Sequence, residues 1–260
     1  LPTLIELCNL RKPPDVAIEG RSLDGLLQGR QTSWPSRYLF AHHQELPVPQ
    51  AYRYCSVMED KWRLVLRSDK GESPEMELFD LTTDPGQTKN LRGQHPRLFL
   101  RLLGAYHQWW KSLNPHFATL NPIYLGTPFQ PETTVTPFEW HCADTGGWQE
   151  NVWRATLGNG FWAVDFAQAG PYEFTLRRWP EGVHYPINGG PEGSGTVAAT
   201  KAQIEIGRQA LRAEVLPDAE EVRFTITVPQ GPTKLTTRWL GPNGDSRYGA
   251  FYVTIKRVGP

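Results

Sequence analysis

The repeated alternation of apolar and polar residues after about residue 117 constrains the fold of this 260-residue chain more than any other feature. Residues 172–177, for example, alternate Tyr, Phe and Leu with Glu, Thr and Arg. Turn sequences such as Pro242-Asn243-Gly244-Asp245 separate such runs, and no helical period lies between them. Several short strands at this spacing predict a β-sandwich or jelly roll. The same alternation recurs at residues 222–228, 235–240 and 251–258.

The first part of the chain has a different pattern, in which helical and extended segments follow one another. Apolar residues at helical spacing predict a helix over residues 1–8 and a short helix from Ser22 to Gly29. A longer helix is predicted to begin at Pro96 and to end before Asn114, because an apolar stripe runs along it. These elements predict a small antiparallel sheet with helices packed against it. Its four strands are predicted at residues 38–41, 51–58, 62–66 and 77–81, with a tight hairpin at 59–61.

These two patterns define the predicted domain organisation. Residues 1–118 form an α+β domain, and residues 138–260 form an all-β sandwich or jelly-roll domain. Between them, residues 119–137 are rich in Pro, Gly and Thr and are predicted to be a linker. The predicted fold class is therefore α+β, a small antiparallel sheet with packed helices followed by a β-sandwich.

Charge and cysteine usage exclude several classes of function. The 27 basic and 27 acidic side chains balance, so the chain lacks the basic surface that nucleic acid requires. No apolar run is long enough for a membrane span, and we expect neither nucleic acid nor membrane as a partner. Cys8, Cys55 and Cys142 have no metal-binding spacing, so we expect no metal site and leave their disulfide state open. The chain begins at Leu1 without a methionine, and we expect further sequence to precede it in a parent protein.

The most distinctive polar cluster is His42-His43-Gln44, directly after a predicted strand. Loops at strand ends commonly carry side chains into clefts, so substrate contact is one interpretation. Adjacent residues of an extended chain point in opposite directions, so at most one of the two histidines faces a given site. Two surface histidines at a strand end, or a metal ligand, are the alternatives.

A series of motifs over residues 1 to about 113 resembles the C-terminal subdomain of sulfatases. The helix Leu1-Pro2-Thr3-Leu4-Ile5-Glu6-Leu7 is similar to a helix late in the family's catalytic domain, and Gly20-Arg21-Ser22-Leu23 resembles its DGxSL segment. Met58-Glu59-Asp60-Lys61-Trp62-Arg63-Leu64 resembles the hairpin that carries W/YKLI. Glu77-Leu78-Phe79-Asp80-Leu81, followed by Asp84-Pro85-Gly86-Gln87 and Asn90-Leu91, resembles ELYDLxxDPxExxNL.

The resemblance implies a C-terminal portion of an arylsulfatase-like, formylglycine-dependent enzyme. The family's nucleophile, calcium ligands and catalytic Lys and His have no counterpart here, so no catalytic residue is carried over. Calcium and formylglycine are expected in a missing catalytic domain of the same parent chain, against which this subdomain would pack. His42, His43, Gln44 and Arg53 are the residues expected to reach a bound sulfate ester. The resemblance further implies a bacterial, periplasmic or extracellular protein acting on sulfated carbohydrate or an aryl sulfate.

Ser33-Trp34-Pro35-Ser36-Arg37 has the outline of the family's S-x-P-S-R modification motif. In sulfatases the modified residue begins a helix, whereas the residues after Arg37 predict a strand. The usual Thr-Gly continuation and a preceding Asp-Asp pair are also missing. We therefore predict that Ser33 is not a formylglycine precursor.

The second part of the chain resembles the β-sandwich extension of some large bacterial sulfatases, on residues 172–180 and 249–253. That resemblance assigns it no chemistry, and two other interpretations stay open. The sandwich is either a carbohydrate-binding module, with Trp148, Trp153, Trp179 and Tyr185 as an aromatic platform, or a structural brace. The glycine-rich segment 189–195 is predicted to be a mobile loop.

Overall fold

The computed structural model describes residues 1–259 except 13, 32, 45, 47, 70–72 and 143–146. The chain divides into two compact units, one of residues 1–43 and 51–112 and the other of residues 44–50 and 113–260. In the described ranges the strands form three sheets, one in the first unit and two in the second. No helix of these ranges is long and apolar enough to cross a membrane.

The first unit is a four-stranded antiparallel sheet in the order β1-β2-β3-β4, with one long helix. The predicted hairpin is present, since Glu59 pairs with Trp62 across Asp60 and Lys61. Asp60 has a φ of 51°, a left-handed conformation that Asp tolerates better than most residues. The elements are α1 (Pro2–Leu7), α2 (Asp24–Leu27), β1 (Leu39–His42), β2 (Cys55–Glu59), β3 (Trp62–Arg67), β4 (Glu75–Asp80) and α3 (Pro96–Leu113).

The core of the first unit lies between this sheet and α3. Because alternate residues of a strand share a face, Leu64 and Leu66 of β3 are buried in this core. Arg63, Val65 and Arg67 consequently lie on the opposite face of the sheet. The core residues are Cys55, Val57, Leu64, Leu66 and Leu78 from the sheet and Phe99, Leu102 and Tyr106 from α3.

The second unit is a β-sandwich, as the alternation predicts. One sheet has the order β10-β9-β12-β7-β5 with β13 beside β12, and the other has the order β11-β8-β14-β6. Apolar residues of both sheets, among them Trp162, Phe174 and Trp239, form one buried cluster. The elements are β5 (Ile123–Leu125), β6 (Glu132–Val135), α4 (Gln149–Arg154), β7 (Phe161–Phe166), β8 (Gly170–Arg177), β9 (Lys201–Ile206), β10 (Gln209–Glu214), β11 (Glu221–Val228), β12 (Gly231–Leu240), β13 (Ser246–Tyr248) and β14 (Tyr252–Arg257).

The structure differs from the predicted elements in several places, among them the predicted linker and the second strand. The segment 119–137, predicted as a linker, contains β5 and β6, which pair with β7 and β14 of the sandwich. These strands are three and four residues long, too short for alternation to be recognised, and their partners lie far along the chain. The strand predicted to begin at residue 51 begins at Cys55, because Tyr52 and Tyr54 have positive φ angles and turn the chain.

Candidate functional site

The face of the first-unit sheet that lies opposite α3 is concave. Ala41 of β1 lies beside Ser56 of β2, and Ser56 lies beside Val65 of β3. These neighbours form the floor of an open depression of about 400 Å³, which we call the sheet groove. Polar side chains along the sheet groove come from His43, Tyr54, Ser56, Arg63, Arg67 and Gln87.

Two arginines of β3 give the sheet groove its positive charge. The Arg63 guanidinium is 3.4 Å from Gln87 Oε1 and 3.1 Å from Met58 Sδ, and its buried Nε donates no hydrogen bond to any described residue. Among the described residues no carboxylate pairs with Arg63. Arg67 lies 3.5 Å from Glu77, but this pair is partly exposed and therefore weak. Since guanidinium groups bind planar and tetrahedral oxyanions, this face is suited to an anionic ligand.

The two predicted histidines both line the sheet groove, but in different environments. The ring of His42 packs against α3, with its centroid 5.0 Å from that of Trp110 and 5.9 Å from that of Trp109. Burial lowers the pKa of His42 below its ordinary value, so this ring is neutral at pH 7. His43 donates its backbone N–H to the carbonyl of Tyr54, at 3.0 Å.

Gln44 and Arg53, the other two predicted residues, do not line the sheet groove. The Gln44 amide donates to the carbonyl of Gln50 at 2.8 Å and accepts from its N–H at 3.0 Å, which closes the loop between them. Arg53 donates to the carbonyl of Asp69 at 2.8 Å and lies over the ring of Tyr54. Substrate contact by these four residues stays a prediction.

Arg63 and Arg67 are the site residues that the sequence interpretation did not include. The signal for them was nevertheless present in the strand itself. Arg63, Val65 and Arg67 alternate with Leu64 and Leu66, so two cations on one face of β3 could have been inferred from period two.

The described residues do not fit the cofactors of a sulfatase active site. Ser33 lies in an exposed irregular segment, where its carbonyl accepts a hydrogen bond from the Gln31 side chain at 2.6 Å, and no helix begins there. Within the described ranges no three His, Cys, Asp or Glu side chains are grouped so that they could hold a metal ion. We therefore derive no step through formylglycine or calcium on this chain.

A second candidate surface lies at α4 of the β-sandwich. Trp153 of α4 is 40% exposed, whereas Trp179 is 7% exposed and lies edge-on against it, with 6.4 Å between centroids. The ring of Tyr185 is 5.9 Å from that of Trp179. Trp148 packs against Phe138. Trp179 is thus the buried base of the surface, and Trp153 and Tyr185 are its exposed rings.

Arg178 fixes the backbone around this surface. It is fully buried, and its guanidinium donates to four carbonyls, at 2.8–3.2 Å. Burial lowers the pKa of Arg178 to about 10, so the group is charged at neutral pH. The segment 189–195, predicted to be mobile, is therefore anchored to the end of α4. The four carbonyls belong to Val152, Trp153, Gly189 and Gly195.

Glycine is required where this loop meets α4. A Cβ atom on Gly195 would lie 2.2 Å from the carbonyl oxygen of Arg154, which is closer than any side chain tolerates. The N–H of Gly195 donates to the carbonyl of Trp153 at 2.9 Å. The loop and the helix end are thus in direct backbone contact.

No family model matches the chain, and no curated protein matches it. Among solved structures, the chain is similar to a Bacteroides thetaiotaomicron sulfatase from a core genetic locus for metabolism of multiple glycosaminoglycans. The sequence identity is 18%, and the TM-score is 0.32 over 41% of this chain. A second sulfatase, solved with its substrate D-glucosamine-2-N,6-O-disulfate, is 19% identical with a TM-score of 0.34 over 44%. The chain spans only 23% of the length of each.

Carbohydrate-binding modules are also among the similar structures. The CBM36-1 domain of a multidomain xylanase from the hindgut metagenome of Trinervitermes trinervoides is 15% identical, with a TM-score of 0.30. That match covers 50% of this chain and 99% of the module.

Proposed function

We propose that this chain is the C-terminal part of a bacterial, periplasmic or extracellular sulfatase-family hydrolase of sulfuric esters. The first unit would be the C-terminal subdomain, and the β-sandwich would be an accessory domain. The ordered series of motifs between residues 1 and 113 supports this assignment. Three of those motifs lie on or begin at α1, the β2–β3 hairpin and β4, and the fourth, at residues 20–23, directly precedes α2.

The observation that carries the proposal is the cationic sheet groove. A sulfate ester presents negatively charged oxygens, and Arg63 offers a guanidinium that is paired with no carboxylate in the described chain. In this role the chain supplies a wall that holds the substrate anion, and the nucleophile comes from the catalytic domain.

The surface of α1 supports a catalytic domain as the partner of the first unit. Leu1, Leu4 and Leu7 are 69%, 57% and 48% exposed, and no residue of this helix is buried. A six-residue helix gains little stability by itself and is normally held by packing of its apolar face. We therefore propose that the catalytic domain of the same parent chain covers these leucines.

The groove is tested by ligand binding and by turnover. Isothermal titration of the purified chain with galactose 6-sulfate and with galactose should give measurable binding only for the sulfated sugar. Replacing Arg63 by Gln should weaken that binding about tenfold, the equivalent of one charge-assisted hydrogen bond. The control R223Q removes an exposed arginine of the second unit and should leave the binding unchanged.

Four results would count against this proposal. Equal binding of galactose and its sulfate, or full binding by R63Q, would exclude an anion site in the groove. Hydrolysis of 4-nitrophenyl sulfate by the purified chain would overturn the assignment of the nucleophile to another domain. In the parent enzyme, R63Q should raise KM for the sulfate ester, and an unchanged KM would remove Arg63 from substrate binding.

A second candidate function is carbohydrate binding by the β-sandwich. The observation that favours it is the exposed ring of Trp153 beside a cavity of about 590 Å³ with polar walls. Carbohydrate sites combine a flat aromatic surface with convergent polar groups. Binding of soluble oligosaccharides, measured by affinity electrophoresis, tests this function.

A further inference from the structure

The cavity beside α4 has the composition of a small-ligand site. Gln149, Glu150, Trp153 and Arg154 line it, together with Gly193 of the anchored loop. The four helical residues are spaced i, i+1, i+4 and i+5, so they share one face of α4. One aromatic ring, one amide and two charged groups therefore converge on about 590 Å³, and we call this the Trp153 cavity.

We propose that the Trp153 cavity binds the ring of an uncharged hexopyranose, an inference that rests on the second candidate function above. The apolar C–H face of such a sugar stacks on the exposed part of the Trp153 ring. Its hydroxyl groups donate to the Glu150 carboxylate and accept from the Gln149 amide or the Arg154 guanidinium.

The charges around the Trp153 cavity favour a neutral sugar over a sulfated one. Arg154 is the one cation among the described lining residues, and it pairs with Glu150 at 2.7 Å. Glu192, which precedes the lining residue Gly193, is the one carboxylate of segment 189–195. A sulfate group here would have to displace the Arg154–Glu150 ion pair and would approach the Glu150 carboxylate. In the sheet groove, by contrast, no carboxylate of the described residues pairs with Arg63.

The walls of the Trp153 cavity are held in place before any ligand binds. Arg178 joins the carbonyls of Val152 and Trp153, at the end of α4, to the carbonyl of Gly195 in the loop. Trp179 supports Trp153 from below and donates its Nε1–H to the carbonyl of Gly189 at 2.9 Å. A preorganised site loses less conformational entropy on binding, which favours affinity for a small ligand.

The test compares unsulfated oligosaccharides of galactose, glucose and mannose with their 6-O-sulfated counterparts, by isothermal titration. We expect the wild-type chain to bind at least one unsulfated oligosaccharide. W153A should weaken this binding by at least about tenfold, as for an aromatic hot spot, and W153Y should retain part of it. The control F129A removes an aromatic ring of the second unit that is 99% exposed and does not line the cavity, and it should leave the affinity within about twofold.

A second variant covers the case in which W153A does not fold. E150Q keeps the size of the side chain but removes its charge, and it should weaken binding several-fold. The sulfated sugars are also titrated against R63Q, in which binding to the sheet groove is weakened, so that binding to the Trp153 cavity can be distinguished from it.

The outcomes separate the site from the function. Unchanged binding by W153A, W153Y and E150Q would overturn the site and leave carbohydrate binding elsewhere on the sandwich. Absence of binding to every sugar at about 10 mM would overturn both the site and the second candidate function. If the R63Q chain bound the sulfated sugars more tightly than the unsulfated sugars, the assignment of an uncharged ligand would be overturned.

Discussion

Replacement of Arg178 by methionine is the most informative perturbation of the β-sandwich. Methionine has a similar length and is apolar, so it fills the space without burying a charge. The carbonyl of Gly195 would then lose the one hydrogen bond that it accepts from the described residues. The other three carbonyls would each keep a second donor. The N–H of Ala155 donates to the carbonyl of Val152, and the N–H of Gly195 donates to that of Trp153. The Nε1–H of Trp179 donates to the carbonyl of Gly189.

The expected destabilisation follows from these four carbonyls. A buried carbonyl without a donor costs about 1–3 kcal/mol, and each weakened hydrogen bond at the other three carbonyls adds about 0.5 kcal/mol. We therefore expect a loss of about 3 kcal/mol in the free energy of unfolding. For a unit of this size, a loss of about 3 kcal/mol lowers the melting temperature by roughly 6–12 °C.

Urea unfolding followed by tryptophan fluorescence measures this difference, and hydrogen exchange of the Gly195 amide reports the local effect. The control R223M removes an exposed arginine that pairs with Glu221 at 2.6 Å, and its effect should be below about 0.5 kcal/mol. If R178M were as stable as R223M, the free energy gained by no longer burying the guanidinium charge would equal the free energy lost with its hydrogen bonds. Arg178 would then hold the loop without any net stabilisation of the fold, contrary to this prediction.

Two further predictions concern the first unit. Burial lowers the pKa of His42 in the folded chain. Below about pH 6.5, therefore, the His42 side chain binds a proton in the unfolded chain more readily than in the folded chain. The free energy of unfolding should consequently fall as the pH decreases. Melting temperatures between pH 7.5 and 5 should decline less steeply for H42F, and parallel slopes would contradict this. L64A, in the core, should cost about 2–5 kcal/mol, whereas L4A, on the exposed face of α1, should cost less than about 0.5 kcal/mol in the isolated chain. Equal losses in urea unfolding would mean that the face of α1 is covered in the isolated chain.

Local patterns predicted most elements of the fold. The helix from Pro96 to Leu113, the hairpin at Asp60 and the long sandwich strands depend on apolar spacing and turn residues close in sequence, and the structure confirms them. The pattern also predicted a helix over residues 1–8, and α1 is present. The apolar spacing did not indicate that Leu1, Leu4 and Leu7 would be exposed, because burial depends on a surface outside the helix.

The candidate sites were less accessible to sequence interpretation. His42 and His43 were singled out for their chemistry, but the packing of α3 makes His42 a partly buried neutral ring. Arg178 directly follows a sandwich strand in the sequence, and the structure buries it among backbone carbonyls. A period of two specifies which residues share a face, but not whether loops from elsewhere in the chain cover that face.

The sequence alone determined an α+β first part, a β-sandwich after it, and the side of each strand on which each residue lies, because these properties arise from steric periods within a few residues. The tertiary structure decided that β5 and β6 join the sandwich, that Arg63 has no acidic partner among the described residues, and that Arg178 links α4 to the glycine-rich loop. Each of these outcomes depends on hydrogen bonds or pairing between residues distant in sequence. Such contacts form only when the whole chain is packed, so no local pattern specifies them.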